Sequence, residues 1–246
     1  MTHTATKEKP FLTAEWRDLV MLNYEVEPDL LQPYVPRGTE LDDFSGRTFV
    51  SLIGFRFLKT RIYGHLAVPF HSNFDEVNLR FYVRRKESDE MRRGVVFIAE
   101  IVPRRAIAMI ARLAYNENYF AYPMSHSIPR TGETGELRYS WTAPGNACAV
   151  EARIAGSASL PAESSQEQFI TEHYWGYARQ RDGGTVEYRV EHPPWRVWDA
   201  KSSNFSGDAG ALYGDAFKNL ATAKPHSAFV ADGSPVKVFS GRRIAR

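Results

Sequence analysis

The stretch from Glu76 to Val83 alternates cleanly. Val77, Leu79, Phe81 and Val83 fall on one face of an extended chain, and Glu76, Asn78, Arg80 and Tyr82 fall on the other. Similar β-forming runs, punctuated by Pro, Gly and Asp about every ten residues, fill most of the sequence. They predict strands over 17–26, 76–84 and 94–103, with 85–93 a charged loop between the last two. A hairpin is expected over 39–61 around Ser45-Gly46, and strand pairs over 135–157. Further hairpins are expected over 173–195 around Asp182-Gly183-Gly184 and over 227–243 around Asp232-Gly233-Ser234.

Helical period is scarce. Residues 28–32 read as one turn stopped by Pro33 and Pro36, and 209–221 as a late helix. Ile107, Ile110, Ala111 and Ala114 recur at i, i+3, i+4 and i+7, which predicts a helix over 105–115. Ser164 and Glu167 have capping-box spacing at the start of another. Many strands, two or three helices and no repeated βαβ unit predict a mainly β (α+β) domain. A closed barrel or strongly coiled sheet is expected, because an open sheet of so many strands would leave long edges. Residues 1–10 read as a disordered tail and 11–246 as a single domain.

Polar side chains inside apolar strands are the informative ones. The row Glu76, Asn78, Arg80 and Tyr82 either faces water or lines the lumen of a barrel. Glu100 interrupts Val95-Val96-Phe97-Ile98-Ala99-Glu100-Ile101-Val102, apolar on both faces, and a carboxylate there needs a cation or a proton. Arg56, within Phe55-Arg56-Phe57, and Arg80 are its candidate partners, and the strand order predicts that Glu100 lies beside Asn78 or Arg80 and shares a cation with Glu76. In the 173–195 hairpin, a turn at Asp182-Gly183 sets His173 opposite His192, Trp175 opposite Val190 and Tyr177 opposite Tyr188. A turn at Gly183-Gly184 sets Trp175 opposite His192 instead. That row is either an aromatic core seam or a pocket wall.

Composition narrows the classes without naming one. The 246 residues are 43% hydrophobic and 24% charged, which fits a folded globular chain rather than a disordered one. A net charge of +2 gives no pointer to nucleic acid, and no apolar run approaches the roughly 20 residues of a membrane-spanning helix. The polar start of the chain suggests a cytoplasmic protein. Cys148 is the only cysteine and reads as a small buried hydrophobe. No HExxH, Gly-x-Ser-x-Gly or phosphate-loop pattern occurs, so neither a metal nor another cofactor is expected.

Several segments together resemble one family. These are Val35-Pro36-Arg37-Gly38, Ser51-Leu52-Ile53-Gly54-Phe55-Arg56-Phe57, the run from Phe74 to Arg84, Arg93-Gly94-Val95-Val96-Phe97, Glu172-His173-Tyr174-Trp175-Gly176-Tyr177 and Val190-Glu191-His192-Pro193-Pro194-Trp195. With Trp16 they resemble the YqjF-like family of bacterial proteins, a domain of unknown function, over residues 11–239. The resemblance implies the fold of acetoacetate decarboxylase, a coiled β-barrel around a pocket with helices packed outside. It matches Phe74-Asp75-Glu76 to that enzyme's Tyr-x-Glu segment and puts Tyr119 where its Schiff-base lysine belongs. No lysine occurs between Lys86 and Lys201, so the resemblance carries the fold but not imine chemistry.

The expected site comprises Glu76, Glu100, Tyr119 and His173 as acid–base groups. Arg56, Asn78, Arg80, Tyr82, Trp175, Tyr177 and His192 are expected to bind a small carbonyl or carboxylate compound. A non-catalytic barrel that binds a small molecule or another protein is the alternative.

Overall fold

A computed structural model of the chain describes residues 8–63, 66–67, 72–103, 118–131 and 133–244. The helix expected over 105–115 lies outside the described residues. The strands are β1 (Leu12–Val26), β2 (Glu40–Leu41), β3 (Thr48–Ile62), β4 (Leu66–Ala67), β5 (Phe74–Glu87), β6 (Glu90–Val102), β7 (Tyr119–Ala121) and β8 (Met124–Ser127). They continue as β9 (Arg130–Thr131), β10 (Thr134–Ala143), β11 (Asn146–Ala155), β12 (Trp175–Arg179), β13 (Thr185–Glu191), β14 (Val197–Ser206), β15 (Ser227–Val238) and β16 (Arg242–Arg243). Short helices α1 (Pro28–Leu31), α2 (Gln166–Thr171) and α3 (Ala209–Tyr213) interrupt them. No helix among the described residues is long and apolar enough to cross a membrane.

The sheet closes on itself. Pairings run β13–β12–β6–β5–β3–β1–β15, and β15 pairs again with β13, so that ring has no free edge. Only the β6–β12 contact in this ring is parallel. From β15 the sheet continues through β14, β11 and β10 to β8. This arm covers the outside of the barrel: Tyr139, Trp141 and Val150 pack with Leu52, Val77 and Leu79 in one buried cluster. Gly54 marks how close the layers come, since a Cβ there would sit 2.7 Å from the Tyr139 ring. Cys148 lies in β11 within that cluster, and burial pushes its thiol up to about 11.

Val77, Leu79, Phe81 and Val83 all join the outer cluster, so Glu76, Asn78, Arg80 and Tyr82 face the barrel interior. Bulges then re-aim particular side chains. In β6 an extra residue between the pairs Leu79–Ala99 and Arg80–Phe97 lets Phe97 and Glu100 both point inward. In β1 an irregularity spanning Arg17 to Val20, with Asp18 at φ 57°, turns both Trp16 and Leu19 inward. β3 has a similar irregularity, with Lys59 at φ 54°.

Five local expectations are corrected. Asp232-Gly233 is not a hairpin turn: β15 runs through it, and Gly233 at φ 77° meets the bulge of β1, where a Cβ would lie 2.0 Å from the Trp16 carbonyl oxygen. The Ser45-Gly46 turn closes only the Phe44–Arg47 bridge, and β2 pairs with β5 instead. The charged segment 85–93 is mostly strand, with Glu87 opposite Glu90 across a tight turn. The β12–β13 hairpin sets Trp175 opposite Arg189, not Val190 or His192, because Gly183 at φ 78° forms a longer turn in which Gln180 N–H donates to Gly184 O. One residue of slip reverses which side chains face inward. The cap of α2 is also one residue later than expected, with Ser165 Oγ accepting from Gln168 N–H at 3.2 Å.

Candidate functional site

A cavity of about 160 Å³ occupies the barrel lumen. Its wall is aromatic on one side. Trp16 meets Phe55 and Trp195 edge-on with centroids 5.7 and 6.2 Å apart, Phe57 stacks on Phe74 at 4.6 Å, and His192 stacks on Trp195 at 4.3 Å. Two polar groupings break this lining.

The first spans β5, β6 and β7. Asn78 Nδ2 donates to Glu76 Oε1 at 3.0 Å, Asn78 lies opposite Glu100, and Glu100 lies beside Tyr119 in the parallel β6–β7 pair. All four side chains border the cavity and are less than a tenth exposed. Two carboxylates, an amide and a phenol therefore adjoin one partly enclosed space, where charge interactions are stronger than in water.

The second is held by the residues around α2. Arg80 Nη2 donates to the Ile170 carbonyl at 3.1 Å, and its guanidinium carbon lies 5.7 Å from the Tyr82 ring centre. Arg80 Nε is buried with no hydrogen-bond partner, and Arg80 makes no ion pair among the described residues. The His173 ring packs on Tyr82 at 4.7 Å and on Phe169 at 5.1 Å, with Nε2 3.4 Å from Asp42 Oδ2. Burial drives His173 down to about 4, against the pull of Asp42, with Arg93 and Arg80 adding to the fall. Burial works against the Asp42 carboxylate too, but hydrogen bonds from His173 and Arg93 outweigh it and hold the group below the usual range. At neutral pH the imidazole is neutral and the carboxylate charged.

The structure thus brings Glu76, Asn78, Arg80, Glu100, Tyr119, His173, Trp175 and His192 to one cavity. Three expected residues lie elsewhere. Arg56 points out between the inward Phe55 and Phe57 and pairs with Asp18 at 3.5 Å. It is therefore not a counterion for Glu100, and Arg80 makes no ion pair with Glu76 or Glu100 among the described residues. Tyr82 faces inward but away from the cavity, its hydroxyl 2.6 Å from Ser51 Oγ. Tyr177 falls on the outer face, where its hydroxyl donates to Glu187 at 3.1 Å. Sequence reasoning missed Asp42 and Thr171. The approach of Asp42 to His173 spans 131 positions of sequence, so no local pattern marks it.

The closed β-barrel has the fold of solved acetoacetate-decarboxylase-like structures. Acetoacetate decarboxylase from Legionella pneumophila superposes with a TM-score of 0.67 at 14% identity, over 97% of this chain and 88% of that one. The enduracididine biosynthesis enzyme MppR, complexed with pyruvate, gives 0.69 at 14% identity over 99% and 93%. An acetoacetate decarboxylase-like enzyme from Sphingomonas wittichii RW1 gives 0.66 at 12% over 99% and 98%. By sequence the chain belongs to the DUF2071 family of uncharacterized conserved proteins, whose pattern matches residues 13–235. It is 26% identical to the uncharacterized protein YqjF of Bacillus subtilis (strain 168) over 188 residues, 76% of this chain and 75% of YqjF.

Proposed function

We propose that the lumen binds a small carboxylate or carbonyl compound and that Glu76, Glu100, Tyr119 and His173 act on it as acid–base groups. The observation that carries this reading is Arg80. A guanidinium within a largely aromatic cavity, with a buried N–H unpartnered and no ion pair among the described residues, suits an incoming anion. Asn78 Oδ1, buried and likewise without a hydrogen-bond partner, offers an acceptor close by. The neighbouring fold's complex with pyruvate supports a short oxo-acid as the first probe.

Thermal unfolding against pyruvate, acetoacetate, phenylglyoxylate and mandelate tests the reading. A ligand at 100 times its dissociation constant adds about 2.7 kcal/mol, which in a chain of this size raises Tm by roughly 5–10 °C. Arg80→Met is expected to remove the shift. Unchanged Tm with every acid, or equal shifts with Arg80→Met, overturns the proposal.

The chemistry proceeds without a protein–substrate imine in this reading. No lysine is among the described residues lining the cavity, and Lys59 is turned outward to Glu15 at 2.6 Å. Borohydride added in the presence of acetoacetate is expected to leave the protein mass unchanged. A stoichiometric reduced adduct on any lysine would refute this.

A further inference from the structure

Asp42 and His173 come from distant parts of the chain, yet each side chain is at most 2% exposed and they meet at 3.4 Å. Asp42 is also fixed from other directions: Arg93 Nε donates to Oδ2 at 2.7 Å, the Asp43 N–H donates to Oδ1 at 3.1 Å, and Arg84 lies 3.6 Å away. A carboxylate so held can only accept, so the His173 nitrogen facing it must carry the ring proton. The remaining nitrogen, Nδ1, is then a bare lone pair. It is buried and has no hydrogen-bond partner, and the residue borders the cavity.

A fixed acceptor beside a fixed donor discriminates between ligands. Arg80 and His173 both pack on the Tyr82 ring, and Arg80 is tied to Ile170, three residues before His173. We infer that Asp42 locks His173 as a hydrogen-bond acceptor, so that the pocket selects an aromatic or bulky 2-hydroxy acid over the matching 2-oxo acid. The carboxylate meets Arg80, the 2-hydroxyl donates to His173 Nδ1, and the Trp16–Phe55–Trp195 wall takes the apolar part. A 2-oxo oxygen in the same place sets lone pair against lone pair and leaves Nδ1 buried and unsatisfied. This rests on the proposed anion-binding role of Arg80 and adds the substituent that the site reads.

Two measurements separate the parts. Nitrogen-15 NMR of the free protein at pH 7, with His173→Phe used to assign the signal, is expected to show a pyridine-type Nδ1 and a pyrrole-type Nε2. A protonated Nδ1 overturns the inference whether or not any acid binds. Titration with mandelate and phenylglyoxylate, equal in size and neither able to form an enol through a neighbouring methyl, should favour mandelate by about tenfold. In His173→Phe, which keeps the ring packing but removes the acceptor and its repulsion of a 2-oxo oxygen, that ratio should fall below about twofold as mandelate binds more weakly and phenylglyoxylate no more weakly than before. Equal binding of the two acids to the wild type overturns the selectivity. Failure of both acids to bind, with the expected NMR signature present, overturns the Arg80 reading and the selectivity but leaves the Asp42–His173 arrangement standing.

Discussion

Glu187→Ala is expected to destabilise the fold by about 3–5 kcal/mol, the cost of removing one partner of a buried charge pair. Glu187 is fully buried in β13 and accepts from Arg92 Nη1 at 2.8 Å, Arg85 Nη1 at 3.1 Å and the Tyr177 hydroxyl at 3.1 Å. Arg242 adds a bond at 2.9 Å from a position 57% exposed, and its share is small. Arg85 and Arg92 are each only 14% exposed, and alanine would remove their one fully buried carboxylate partner, leaving Arg85 with Glu87 and Arg92 with Glu90 and Glu87 at the strand ends. The consequence reaches the cavity, because Arg92 lies 4.3 Å over the ring of Trp175. Urea unfolding monitored by tryptophan fluorescence measures the loss. Glu187→Gln, which keeps an acceptor but drops the charge, should fall between wild type and alanine. A loss under about 1 kcal/mol for alanine would mean that the arginines reach water easily and the cluster is not a clamp.

The barrel was legible because its strand signals are local. The alternation from Glu76 to Val83 separates two faces by parity alone, and the isolation of Glu100 among apolar neighbours flags an enclosed charge. Neither face of β5 meets water there, because the β10–β11 arm lies over Val77 and Leu79, a contact between segments far apart in sequence. Two of the errors share one cause. Asp232-Gly233 and Asp182-Gly183 advertise positive φ, and positive φ serves a bulge as readily as a two-residue turn. The first glycine let β15 pass the bulge of β1, and the second lengthened a turn, shifting Tyr177 out of the expected row. Asp42 was invisible for a different reason: a carboxylate becomes part of a site only when the fold brings a histidine to it.

Acid should destabilise the protein through the histidines in the lumen. His173 and His192 are both driven down to about 4, each chiefly by burial, whereas an unfolded histidine titrates near 6.5. Between these values the unfolded chain binds protons that the folded one refuses, so stability rises with pH. The contribution is fully present above about 6.5 and is lost as pH falls through 4. For His173 alone, moving from pH 7 to 4.5 removes about 2.5 kcal/mol, and the less buried His192 adds a smaller part. Asp42 stays ionised across that window, because His173 and Arg93 hold its carboxyl low. Asp232 works in the opposite sense, since burial pushes its carboxyl up. The difference between wild type and His173→Phe therefore carries the prediction. Urea midpoints measured at pH 7, 5.5 and 4.5 should fall steeply for the wild type, and the variant should lose roughly half or more of that slope. Parallel curves for the two proteins would show that His173 takes up its proton as easily folded as unfolded.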